Sequence, residues 1–121
     1  MCGIAGFYHE HRLPHGAVDA MAQAIAHRGP DGQQTKVFAT AATALGHRRL
    51  AILDLSDQGN QPMTYGDSGL WIVYNGEIFN YIELREELKN HGFSFHTETD
   101  TEVVLAAYIH WGEKAFHRFN G

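Results

Sequence analysis

Cysteine is nearly absent from this chain, with a single one among 121 residues. No internal disulfide can form, and no N-terminal apolar run follows a basic stretch, so a reducing, cytoplasmic setting is expected. Basic residues are also few: nine Lys and Arg stand against fourteen Asp and Glu, for a formal net charge of -5, and they form no cluster. Phosphate binding needs grouped cations, which excludes nucleic acid as a main partner. No uninterrupted apolar run approaches the roughly 20 residues of a membrane-spanning helix, so no membrane partner is expected either. Repeats, low-complexity tracts and linkers are missing as well. The remainder, 44% hydrophobic and 19% charged, has the composition of one soluble globular domain, with a small and specific ligand as the default expectation.

Histidine is plentiful, nine in all, but His9, His11, His15, His27, His47, His91, His96, His110 and His117 are scattered. They form neither a Cys/His ligand set nor an H-E-x-x-H helix, so surface or structural roles are expected and no metal.

The lone cysteine directly follows the initiator in Met1-Cys2-Gly3-Ile4-Ala5-Gly6. Once Met1 is removed, one residue carries both a thiol and a free α-amine. The reference pKa of an α-amine is about 7.7–8.0, so a small shift leaves it neutral and able to accept a proton. A deprotonated thiol is a strong nucleophile, and activation of a side chain by an N-terminal amine is a route to covalent catalysis. The plainer alternative is a small buried hydrophobe at the start of a strand.

The pattern predicts a strand over Gly3–Tyr8, a polar loop with Pro14 and Gly16, and a helix over Ala17–His27 with Val18, Met21, Ala22 and Ile25 on its apolar stripe, stopped by Gly29-Pro30. Strands are predicted over Thr35–Thr40 and Thr43–Arg48, then an apolar run, Leu50–Leu55, broken by Asp54. Gly66–Gly69 reads as a turn and Leu70–Tyr74 as a buried strand. Asn80 and Glu83 begin a helix with a Leu84/Leu88 stripe, closed by Gly92; Phe93 and Phe95 alternate like a short edge strand. Thr99-x-x-Glu102 is a capping box before a helix with Val104, Ala107, Tyr108 and Trp111 on one face, and a last short helix is predicted over Glu113–Phe119. The whole reads as one α+β unit.

Thiol attack on an amide requires recognition of the substrate's charges, donors for the oxyanion and an acid for the leaving group. Arg48 and Arg49 stand at a strand end, where a guanidinium can clamp a carboxylate bidentately, although adjacent arginines are more often a surface pair. Asn75 and Gly76 can supply a side-chain amide and a backbone N–H to an oxyanion, but Asn-Gly between strands is also the strongest short hairpin signal. Asp100 can hold an ammonium group or sit in a helix first turn, and spacing alone favours the helix role. Glu77 can accept an ammonium or merely follow the turn. Arg28-Gly29-Pro30-Asp31-Gly32 reads plainly as a loop after a helix.

Taken in order, Met1-Cys2-Gly3-Ile4-Ala5-Gly6, His27-Arg28-Gly29-Pro30-Asp31-Gly32, Leu45 to Ile52, Gln61-Pro62-Met63, Tyr74-Asn75-Gly76-Glu77-Ile78-Phe79-Asn80-Tyr81 and Thr99-Asp100-Thr101-Glu102-Val103 resemble the glutaminase domain of glutamine-hydrolysing asparagine synthetases. These are class II, N-terminal-nucleophile amidotransferases, and the resemblance covers essentially the whole chain. It implies a four-layer αββα sandwich, incomplete at its C-terminal end. It also implies that Cys2, once first in the chain, attacks the glutamine side-chain amide while its α-amine shuttles the proton. By the same match Arg49 binds the glutamine α-carboxylate and the backbone of Leu50, Ala51, Ile52 and Leu53 lines the pocket. Asn75 and Gly76 form the oxyanion hole, and Glu77 and Asp100 hold the α-ammonium. The glutaminase step needs no cofactor.

The resembling family continues into further strands and then a synthetase domain that uses ATP and magnesium for asparagine biosynthesis. Neither is expected here: Gly121 reads as a truncation, and no Ser-Gly-Gly-x-Asp pyrophosphate loop occurs. The implied partners are therefore glutamine and the synthetase domain of a full-length protein. Uncovered sheet edges and apolar faces make a homo-oligomer a further expectation. The competing function is a catalytically inert fragment that only binds or self-associates, as a retained Met1 would dictate by acylating the amine.

Overall fold

The computed structural model describes residues 1–9, 16–52 and 54–121. The expected loop residues His11, Pro14 and His15, and the expected pocket residue Leu53, lie outside the described residues. The regular elements are β1 (Gly3–Tyr8), α1 (Ala17–Ala24), β2 (Gly32–Phe38), β3 (Thr43–Arg49), β4 (Met63–Thr64), β5 (Trp71–Ile72), α2 (Tyr81–Asn90) and α3 (Asp100–Trp111), with short 3₁₀ turns between them. This is a mixed α and β architecture. Among the described residues no helix is long and apolar enough to cross a membrane. The chain divides into two compact units, one comprising Met1–Ile52, Asn60–Pro62 and Val73–Asn75, the other Leu53–Gly59, Met63–Ile72 and Gly76–Gly121.

The first unit is a three-stranded antiparallel sheet in the order β1-β3-β2, with α1 packed on one face. The central strand β3 pairs Arg48 with Gly3 and Arg49 with Gly32. Side chains alternate across a sheet, and Gly46 marks the helix side: a Cβ there would lie 3.2 Å from Val18 and 3.5 Å from Ala22. Both of those residues are buried. Arg48 shares that face and reaches the Ala26 carbonyl at 3.4 Å, so His47 and Arg49 point to the other.

Two local expectations change. The first helix ends at Ala24 rather than His27, tightening into a 3₁₀ turn over Ala26–Arg28. The Ile25 N–H donates to the Ala22 carbonyl and the Arg28 N–H to the Ile25 carbonyl, i→i−3 bonds that replace the α-helical ladder there. Met21, placed on the apolar stripe by its spacing, is 40% exposed. The strand predicted over Thr35–Thr40 runs from Gly32 to Phe38, since the Asp31 N–H already donates to the Arg49 carbonyl and starts the ladder early.

The second unit holds the β4–β5 hairpin together with α2 and α3. Its loop turns through Gly66 and Gly69, both at positive φ (50° and 73°), where glycine is the unstrained choice. Only Trp71 and Ile72 of the predicted Leu70–Tyr74 strand are in a ladder. No strand forms at Phe93–Phe95. Instead Tyr65 places its ring 5.7 Å from Phe93 and 6.3 Å from Phe95, while its hydroxyl donates to the Ser94 carbonyl and accepts from the Ser94 N–H. A side chain thus replaces the strand partner.

Helix α3 is buried all round from Asp100 to Ala107, not on one face, and Tyr108 is exposed. Leu88 of α2 and Val103 of α3 are fully buried, each contributing about 1.5–3 kcal/mol. Thr99 caps α3 by accepting the Glu102 N–H, but Glu102 does not return the bond as a capping box requires. Its carboxylate accepts from the His96 and Thr97 N–H groups and the Thr97 hydroxyl. The predicted last helix is a 3₁₀ turn over Gly112–His117.

Candidate active site

Cys2 lies just before β1, at the strand end nearest Arg48 and Arg49 of β3. It is partly buried. Its Sγ accepts the Leu50 N–H at 3.3 Å and lies 3.5 Å from the Leu50 carbonyl, to which the thiol donates. The expected pocket-lining backbone at Leu50 therefore touches the sulfur. Its neighbour Ala51 donates its N–H to Asp31 Oδ2 at 2.9 Å, and the Ile52 side chain is exposed.

The Arg28–Gly32 stretch is more than a loop after a helix. Arg28 Nε donates to the Cys2 carbonyl at 3.0 Å, and the Asp31 N–H donates to the Arg49 carbonyl at 3.0 Å. Between them Gly29 lies so close to β3 that a Cβ would collide with the Arg48 carbonyl and sit 2.6 Å from the Arg49 nitrogen. This segment ties the residue bearing the thiol to the end of β3. Arg28 and Asp31 escaped assignment on sequence because the turn chemistry of Gly-Pro-Asp-Gly accounts for the stretch without them.

Neither arginine of the pair belongs to the solvated surface. Arg48 is half-buried and donates to Gln33 Oε1 at 2.8 Å. Arg49 is 9% exposed, and its Nη1 donates to Asn60 Oδ1 at 3.0 Å. Beside it on β3, His47 is almost fully buried with Nε2 unpartnered. Burial lowers its pKa to about 4; a Tyr74 backbone hydrogen bond opposes the shift, and the Arg49 charge adds to it. The imidazole is neutral at pH 7.

Asn75 belongs to the same unit as Cys2, Arg49, Leu50, Ala51 and Ile52. It does not form the hairpin its sequence permits. No strand follows before α2, and Gly76 lacks the positive φ that a type I′ turn demands. Asn75, Gly76 and Glu77 are all exposed.

Gly76, Glu77 and Asp100 belong to the second unit. Asp100 is the first residue of α3, as its spacing suggested, and is 5% exposed. Its Oδ2 accepts the Ile78 N–H at 2.9 Å, fastening the segment after Gly76 to the helix start. The same segment is braced by Asn80, whose side chain donates to the Arg118 carbonyl and accepts the Asn120 N–H, each at 2.9 Å. Among the described residues no cluster of three or more His, Cys, Asp or Glu side chains is arranged to hold a metal.

A family model described as a glutamine amidotransferase domain matches residues 1–121. Asparagine synthetase (glutamine-hydrolyzing) 1 of Bacillus subtilis is 44% identical over 126 residues, which cover 100% of this chain and 20% of that protein. Putative asparagine synthetase (glutamine-hydrolyzing) 2 of Methanocaldococcus jannaschii is 40% identical over 140 residues, covering 100% and 26%. Asparagine synthetase (glutamine-hydrolyzing) 3 of Bacillus subtilis is 38% identical over 126 residues, again covering 100% and 20%. The chain spans between a fifth and about a quarter of the length of these relatives. By the match along its whole length, the chain belongs to the glutamine amidotransferase domain family.

Proposed function

We propose that this chain, once Met1 is removed, hydrolyses glutamine to glutamate and ammonia with Cys2 as nucleophile. The observation that carries the reading is the Cys2 thiol on the Leu50 peptide, its own carbonyl held by Arg28 and the buried Arg49 adjacent to Leu50 in the chain. Met1 is 76% exposed, within reach of an aminopeptidase. The freed α-amine takes the thiol proton, and the sulfur attacks the side-chain carbonyl carbon of glutamine. Asn75 and Gly76 donate to the oxyanion, and Arg49 receives the α-carboxylate through its planar fork. The resemblance assigns the α-ammonium to Glu77 and Asp100. The amine returns its proton to the departing nitrogen, ammonia leaves, and water hydrolyses the thioester.

The proposal extends along the resemblance, with relatives named glutamine-hydrolysing asparagine synthetases: the ammonia feeds an ATP-dependent synthetase domain that makes asparagine, and the αββα layering is adopted in the whole protein. Ammonia release separates this reading from an inert fragment. The chain beginning at Cys2 is expected to release ammonia from glutamine, whereas a chain retaining Met1 and a Cys2→Ala variant are expected to release none. A folded chain beginning at Cys2 that performs no better than Cys2→Ala would rule the enzyme out.

A further inference from the structure

Gln61 has no role in the reaction as written, yet it is only 6% exposed. Its side-chain Oε1 accepts the Tyr74 N–H at 2.5 Å, across 13 residues of sequence. Tyr74 immediately precedes Asn75, and its main chain also hydrogen-bonds with His47, which is 2% exposed. Two buried polar side chains, one from the Asn60–Pro62 segment and one from β3, thus hold the main chain of Tyr74, the residue before Asn75. The β4–β5 register itself ends at Ile72. Asn75 is itself exposed and lies outside any regular element, so the direction of its amide depends on how firmly the preceding peptide is held.

We propose that Gln61 is a positioning residue for the oxyanion donor: by accepting the Tyr74 N–H it fixes the main chain at Asn75 and aims the Asn75 amide at the developing charge. The inference rests on the glutaminase reading above. An oxyanion donor acts in the transition state and little in the ground state, so an error in its aim lowers kcat and leaves KM nearly unchanged. Removing such a donor outright lowers kcat by about 10²–10³. Loosening it through Gln61 is expected to cost about tenfold.

The test measures glutamine hydrolysis by the chain beginning at Cys2, with Gln61→Leu, Gln61→Glu, Asn75→Ala and the Gln61→Leu/Asn75→Ala pair. Thermal unfolding verifies that each variant is folded. Gln61→Leu is expected to lower kcat about tenfold with KM within about twofold, and to cause no further loss in the Asn75→Ala background, because residues acting through one group are non-additive. Gln61→Glu keeps an acceptor for the Tyr74 N–H and is expected to recover most of kcat. Amide hydrogen exchange at Tyr74 and Asn75, which needs no turnover, is expected to quicken in Gln61→Leu and not in Gln61→Glu. An unchanged kcat, a loss that adds fully to that of Asn75→Ala, or unchanged exchange at Tyr74 would overturn the role of Gln61 while leaving the glutaminase reading intact. Failure of the wild-type chain to exceed Cys2→Ala would overturn both.

Discussion

At the scale of single residues, the two buried side chains on the face of β3 turned away from α1 make different claims. Arg49 is buried against Asn60, so its guanidinium is held in one orientation before any substrate arrives. Arg49→Lys keeps the charge but loses the planar fork; KM for glutamine is expected to rise by about tenfold or more with the melting temperature lowered by only a few degrees. A collapse of thermal stability with KM unchanged would assign Arg49 to the fold and not to the ligand. His47 is held at a pKa of about 4 by burial, below the unfolded value of about 6.5. Between those values the unfolded chain binds more protons, so stability rises with pH through that window and is lost as pH falls from about 6.5 to 4. The loss is about 3 kcal/mol. Urea unfolding at a series of pH values is expected to show this slope, and His47→Gln to flatten it; equal slopes in both proteins would refute the assignment.

At the scale of elements, the short connections do as much as the helices and strands. Gly29 is required by contact and not by torsion: its φ of -149° suits any residue, but a side chain there would strike the main chain of Arg48 and Arg49. Gly29→Ala is expected to destabilise the chain by about 1–3 kcal/mol and to lower glutamine turnover by shifting the end of β3; wild-type urea midpoint and kcat would contradict this. Thr99→Ala removes the one side-chain cap of α3 and is expected to cost about 1 kcal/mol with little effect on KM, as read by denaturant unfolding. What was legible in the sequence follows the same division. Pattern placed β1, β3 and α2, and the capping signature at Thr99 placed α3, which is buried on every side from Asp100 to Ala107. Pattern missed the shortened β5 and the missing strand at Phe93–Phe95, where Gln61 and Tyr65 supply hydrogen bonds that a ladder would otherwise provide. Cys2, Arg49 and Asn75 were nominated through chemistry and order. Arg28, Asp31 and Gln61 were not, since they act on the main chain of distant residues and leave no local pattern.

At the scale of the whole molecule, the first unit contains Cys2, Arg49 and Asn75, while Gly76, Glu77 and Asp100 belong to the second. The chain belongs to the glutamine amidotransferase domain family and spans only a fifth to about a quarter of the glutamine-hydrolysing synthetases it matches, and the proposed function is release of ammonia from glutamine. All of it depends on a covalent step at Cys2. The most direct measurement is the intact mass of the chain, acid-quenched during turnover with glutamine. The account predicts a species that lacks Met1 and carries one glutamyl group, absent when Cys2 is alanine. Ammonia release at the wild-type rate by the Cys2→Ala variant, or by a chain still bearing Met1, would contradict it.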